Sequence, residues 1–131
     1  MIVLKLFLAL SLFTSYHSVE KQEFVPNPPK IINIETDYPR DGIWVRIPQN
    51  TKSITFKVKA DNTETVLFWI MRTGTQTWYQ RKLIGYDIKE NDKDNEFSLV
   101  WMIDQPSLLN HLHIQALGNG IENNTINLIT E

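Results

Sequence analysis

Cysteine is absent from this chain. No disulfide, thiolate metal site or cysteine nucleophile can form, and lipid attachment through an N-terminal cysteine is excluded. Glycine is sparse, with 5 residues in 131, and no glycine-rich loop is available to cradle a phosphate. Neither a Gly-x-Ser-x-Gly nucleophile turn nor a His-Glu-x-x-His zinc-protease helix occurs. A basic excess is missing too. The net charge is -2, and Lys5 is the one charged residue before Val19, so residues 19–131 carry -3. That balance speaks against nucleic acid, whose phosphates call for a basic stripe. The acids fall at predicted turns and tips, not in a cleft where paired carboxylates could do acid–base work. The expectation is a chain without catalytic activity and without a cofactor.

The N-terminus has a short basic start and then the apolar run Leu6 to Phe13. This run falls short of the ~20 residues that a membrane-spanning helix needs. It reads as a secretory signal over residues 1–18, with processing near Ser15 to Ser18; left uncleaved, it would anchor the protein loosely. Residues 19–30 read as a linker, charged at first and then carrying Pro26, Pro28 and Pro29. Proline fixes φ and lacks a donor, so this piece should be extended.

Residues 31–131 alternate in character with a period of two. In the run Ser53 to Ala60, Ile54, Phe56, Val58 and Ala60 take one parity, and Ser53, Thr55, Lys57 and Lys59 take the other. Successive strand side chains point to opposite faces, so this is a strand with one wet face and one buried face. The run Val66 to Met71 is apolar on both parities, so its second face is covered or kept apolar for some use. Further runs at Ile31–Thr36, Ile43–Ile47, Trp78–Ile84, Glu96–Ile103, His111–Leu117 and Thr125–Thr130 are separated by Pro, Gly and Asn turn signals. Short strands at this spacing, with no helical period between them, indicate an all-β sandwich or barrel. The expected inward set runs through Ile32, Ile34, Val45, Ile54, Phe56, Val58, Val66, Phe68, Ile70, Ile84, Phe97, Leu99, Trp101, Leu112, Ile114, Ala116, Ile126 and Leu128.

Five of these pieces carry a family resemblance. They are Ile54–Ala60, Val66–Ile70, Leu83–Asp87, Phe97–Trp101, and Leu112–Ala116 with Gly118-Asn119. In this order they resemble the consecutive core strands of the bacterial immunoglobulin-like modules of secreted and surface proteins. The resemblance implies an immunoglobulin-like antiparallel β-sandwich of about seven to eight strands, secreted or held at the cell envelope. Its implied role is non-enzymatic binding or structural support, with a protein or glycan partner at the cell surface. The membrane would be reached only through the N-terminal segment, if that segment is left uncleaved.

The candidate binding face follows from parity. With Val66, Phe68 and Ile70 inward, Leu67, Trp69 and Met71 face out. A neighbouring strand would add His111, His113 and Gln115, with Tyr79 and Arg81 joining from the other side. Aromatics, a flexible methionine and a basic rim suit a sugar, peptide or protein. An inhibitor or accessory subunit of a secreted enzyme would insert Trp78-Tyr79 or Tyr38-Pro39, and a carbohydrate-binding module would stack exposed aromatics on sugar rings. His111 and His113 share a face, but no motif supplies a third metal ligand. Asp87 to Glu96 sets oxygen ligands at alternating positions, as calcium likes, yet Lys89 and Lys93 dilute the charge and the central glycine is missing; a solvated hairpin tip fits better. Asn123-Asn124-Thr125 fits a glycosylation acceptor, which the bacterial origin that the resemblance implies would leave idle.

Overall fold

The computed structural model describes residues 26–74 and 78–131. The segment read as a signal and the first part of the linker lie outside them, as do residues 75–77. Nine strands follow in order: β1 (Lys30–Thr36), β2 (Arg40–Asp41), β3 (Trp44–Ile47), β4 (Ser53–Asp61), β5 (Thr63–Arg72), β6 (Lys82–Ile88), β7 (Glu96–Met102), β8 (Leu109–Gly118) and β9 (Gly120–Thr130). They form a three-stranded sheet, β1-β4-β7, facing a six-stranded sheet, β2-β3-β9-β8-β5-β6. The result is the expected all-β sandwich.

Parity explains why the layers close. Ile54, Phe56 and Val58 from β4 and Val66, Phe68 and Ile70 from β5 are buried, as are Leu112, Ile114 and Ala116 from β8. Phe56 and Phe68 stack across the two layers, with ring centroids 6.1 Å apart and planes 22° apart. On the outer side Lys57 of β4 lies opposite Glu35 on β1 and Ser98 on β7, while Thr55 and Ser53 lie opposite the exposed Val100 and Met102 of β7. That outer face is wet, which is how an antiparallel sheet with one solvated side reads.

Four details differ from the sequence reading. The described residues form nine strands, and β3 runs parallel to β9, so the sheet is not wholly antiparallel. Ile32 is exposed, because the β1–β4 register slips between Ile31 and Asn33 and a bulge turns the side chain outward. Trp78–Gln80 is a short 3-10 turn, and the strand begins only at Lys82. Ile84 and Leu99 are only partly buried, while Ile47 and Leu108 join the core.

The linker's last residues lie against the domain. The side chains of Asn119 and Asn62 donate to the carbonyls of Pro26 and Pro28, and Pro29 is buried. Here the β4–β5 and β8–β9 turns meet. A Cβ on Gly118 would stand 2.3 Å from the Asn62 carbonyl oxygen and 3.2 Å from Pro29 Cγ. The first neighbour is backbone and cannot swing away. Gly118→Ala is therefore expected to destabilise the domain by about 1–3 kcal/mol, the usual cost of overpacking. Chemical denaturation of the two proteins checks it; equal midpoints would show that the turns can part.

Candidate functional site

The outer face of the six-stranded sheet is built by register. On β5, Leu67, Trp69 and Met71 lie opposite Gln115, His113 and His111 of β8. On the other side, Leu67 and Trp69 lie opposite Tyr86 and Leu83 of β6, and Thr65 lies opposite Ile88. On β9, Asn123, Thr125 and Asn127 continue the face beyond Gln115, His113 and His111. Directly opposed residues of an antiparallel pair share a face, so one surface runs from apolar β6 to amide-rich β9.

Leu83, Tyr86 and Ile88 were not legible as members of this face. The β5–β6 register shifts between Phe68 and Trp69, so strict alternation along β6 fails near Gly85. All three are exposed, Tyr86 at 59 %.

The middle of the face is covered. After β5 the chain returns over it, and the Trp78 ring rests on the His113 ring with centroids 4.2 Å apart. The Arg81 guanidinium carbon lies 4.2 Å above the Trp69 ring and 5.4 Å from the Trp78 ring. Arg81 Nη1 also donates to the Trp78 carbonyl at 3.1 Å, which holds the turn in shape. Such cation–ring contacts contribute about 0.5–2 kcal/mol, more as water is excluded. Tyr79 projects from the same turn and is 81 % exposed. His113 is 1 % exposed, so it lies beneath this cover and is not a surface group.

A hydrogen-bond relay sets the protonation of His113. The Trp69 indole N–H can only donate, and it donates to Gln115 Oε1 at 2.7 Å. This orients the Gln115 amide so that its Nε2 donates to Asn123 Oδ1 at 3.0 Å. The same oxygen lies 2.9 Å from His113 Nε2. An amide oxygen only accepts, so Nε2 carries the hydrogen and Nδ1 is left with its lone pair. That Nδ1 is buried with no partner among the described residues, and so is Arg81 Nε. Burial pushes the His113 pKa below its ordinary value of 6.5, the bond to Asn123 opposes this, and the positive charge of Arg81 adds to the lowering.

The sign of the pH effect follows. The unfolded chain titrates near the ordinary histidine value and the folded one below it. Between the two, the unfolded state binds more protons, so acid favours unfolding. His113 thus contributes stability that is whole above about pH 6.5 and declines as the pH falls toward its folded-state pKa. Denaturation midpoints measured down this range should fall in the parent and fall less in His113→Gln; parallel curves would refute the assignment.

The other candidates are placed as follows. His111 bonds Asn127 Oδ1 through Nδ1. Among the described residues no three His, Asp or Glu side chains gather as a metal-ligand set. In the loop after β6 the side chains serve their own backbone: Asp94 accepts from the N–H groups of Glu90 and Glu96, and Asn91 from that of Lys93. Asp87 accepts from Ser98 N–H at 2.8 Å, tying β6 to the edge strand β7.

No protein-family model matches the chain, and no curated protein matches its sequence. Solved structures do. A superoxide reductase (neelaredoxin) from Ignicoccus hospitalis superposes with a TM-score of 0.54 at 10% identity, covering 80% of this chain and 81% of its own. A chain from a structure described as the basis of T cell specificity and activation by toxic shock syndrome toxin-1 gives 0.50 at 9% identity, covering 78% of this chain and 100% of its own. CopC from Methylosinus trichosporium OB3b gives 0.48 at 10% identity, with 79% and 93% covered. At such identities the likeness is one of fold, an all-β sandwich. It also corrects one expectation. Superoxide reductases share this fold, so the architecture does not place the chain outside the enzymes, and the reading of a protein without catalytic activity is withdrawn.

Proposed function

We propose that the protein is a recognition domain of the cell envelope or exterior that holds a protein or glycan partner on the outer face of its six-stranded sheet. The observation that carries this reading is the contrast between the two outer faces. The three-stranded sheet exposes Ile32, Val100 and Met102 singly among Lys57, Lys59 and Ser98, with no aromatic ring among them, whereas β6 and the turn before it expose the aromatic Tyr86, Trp78 and Tyr79 together with Leu83 and Ile88. Contiguous apolar and aromatic groups of this kind mark interaction surfaces, and Trp and Tyr lead among residues that anchor partners. The immunoglobulin-like assignment belongs to the same proposal. Its support is the strand order: first, second and fifth strands of such a domain in one layer match β1, β4 and β7, and the third, sixth and seventh match β5, β8 and β9.

Trp69 is better regarded as the floor of this face than as its point of contact, since Gln115 and Arg81 already occupy it. Tyr86 is the residue to change. A photo-crosslinking side chain at Tyr86 or Tyr79, in the producing cells, should yield one discrete adduct, and the same group at Val100 on the opposite layer should yield none. Tyr86→Arg should abolish recovery of that partner while the circular dichroism spectrum is unchanged. Equal adducts from both faces, or none from either, would remove the proposal.

A further inference from the structure

We infer that the segment Trp78–Arg81 is a pH-responsive cap on the outer sheet face, held down by neutral His113 and released by its protonated form. The inference concerns regulation of the face assigned above and rests on that assignment for its purpose, but the movement itself can be observed without any partner.

The cap has two footings. Trp78 rests on the His113 ring, and Arg81 rests on Trp69 while bonding the Trp78 carbonyl. The first footing depends on the charge of His113. Its Nε2 is already committed to Asn123, so an incoming proton goes to Nδ1. There the new N–H would be a buried donor with no acceptor among the described residues, which costs about 1–3 kcal/mol, more for a charged group. The new positive charge would also stand beside Arg81.

Among the described residues nothing nearby offsets that charge. From the connection before β6 the group facing His113 is Arg81. From β5 the neighbours are Trp69 and Met71, and from β9 Asn123 and Thr125, none of which ionises to an anion here. On β8 itself the next residue of the face is His111, another potential cation. With no carboxylate among these neighbours, the imidazolium gains water only if Trp78 lifts. Lifting exposes Nδ1, separates Arg81 from His113 and uncovers Trp69, His113 and Gln115. The cap therefore opens the centre of the face in acid and closes it at neutral pH.

Labelling tryptophan with nitrogen-15 gives four indole signals, of which those of Trp44 and Trp101 are internal references. As the pH is lowered from about 7.5 to about 4.5, across and below the ordinary histidine range, the Trp69 and Trp78 signals should move together with one midpoint below 6.5. The references should stay in place, and far-ultraviolet circular dichroism should not change. In His113→Gln, which keeps an amide donor for Asn123, the movement should vanish. Should that variant not fold, Trp78→Ala decides: the Trp69 signal should already hold its acid position at neutral pH. Static Trp69 and Trp78 signals, the same movement in His113→Gln, a Trp69 signal unmoved by Trp78→Ala, or loss of the whole β spectrum over this range would each overturn the cap. Failure of the Tyr86 crosslink would leave these signals unaffected, so the two proposals fall separately.

Discussion

Ile114→Asp is expected to yield a chain that does not fold. Ile114 is wholly buried on β8, which lies between β9 and β5, and it pairs in register with Phe68 on one side and Asn124 on the other. Its side chain points into the space between the layers. The substitution removes an apolar group whose burial is worth about 1.5–3 kcal/mol. It also places a carboxylate where every surrounding core side chain is apolar, and an unpaired buried charge costs several kcal/mol more, or forces protonation. Together these approach or exceed the roughly 5–15 kcal/mol by which a domain is stable. Circular dichroism should lose its β signature, and amide proton signals should collapse toward random-coil positions. Val100→Asp is the control. Val100 lies on β7 with its side chain on the wet outer face, so the same chemical change there should leave the fold intact. A folded Ile114→Asp protein would mean that β8 does not face the core.

Phe68→Ala is expected to fold but to lose about 3–5 kcal/mol of stability. For a domain of this size that corresponds to a urea midpoint lower by about 2 M. The size of the effect comes from position as well as volume. Phe68 is fully buried on β5, and its ring stacks on Phe56 of β4, so the pair bridges the two layers. Truncation leaves a cavity between sheets that strand pairing holds apart, and the walls can collapse only in part. The double variant with Phe56→Ala should fall short of the sum of the singles by about 0.5–1.5 kcal/mol, the coupling expected of stacked rings. Strict additivity would show that the two rings act independently across the interface.

Much of the architecture is legible in the residues. The period of two along Ser53–Ala60 and Leu112–Ala116 tells inside from outside, because adjacent side chains on an extended strand have no choice but to alternate. The apolar second face of Val66–Met71 likewise marks Leu67, Trp69 and Met71 as a face either covered or kept for use, and leaves open which. Legibility ends where alternation breaks. Ile32 carries the character of a core residue and lies outside, since a bulge in β1 changes which way it points. The same happens along β6, where the slip near Gly85 carries Leu83, Tyr86 and Ile88 onto the outer face. A bulge is a matter of how two strands pair, and one strand's residues do not record it.

The sequence by itself determined the fold class, the parity of the long strands and most of the core, because burial follows local alternation that each strand carries within it. Only the tertiary structure decided what covers the sheet. The nature of the cover, a neighbouring turn with Trp78 on His113 and Arg81 on Trp69, depends on where the chain returns after β5. It decided the state of His113 too. That state is set by an indole N–H, an amide and a second amide drawn from three strands, and residues 69, 115 and 123 meet only once those strands are in register.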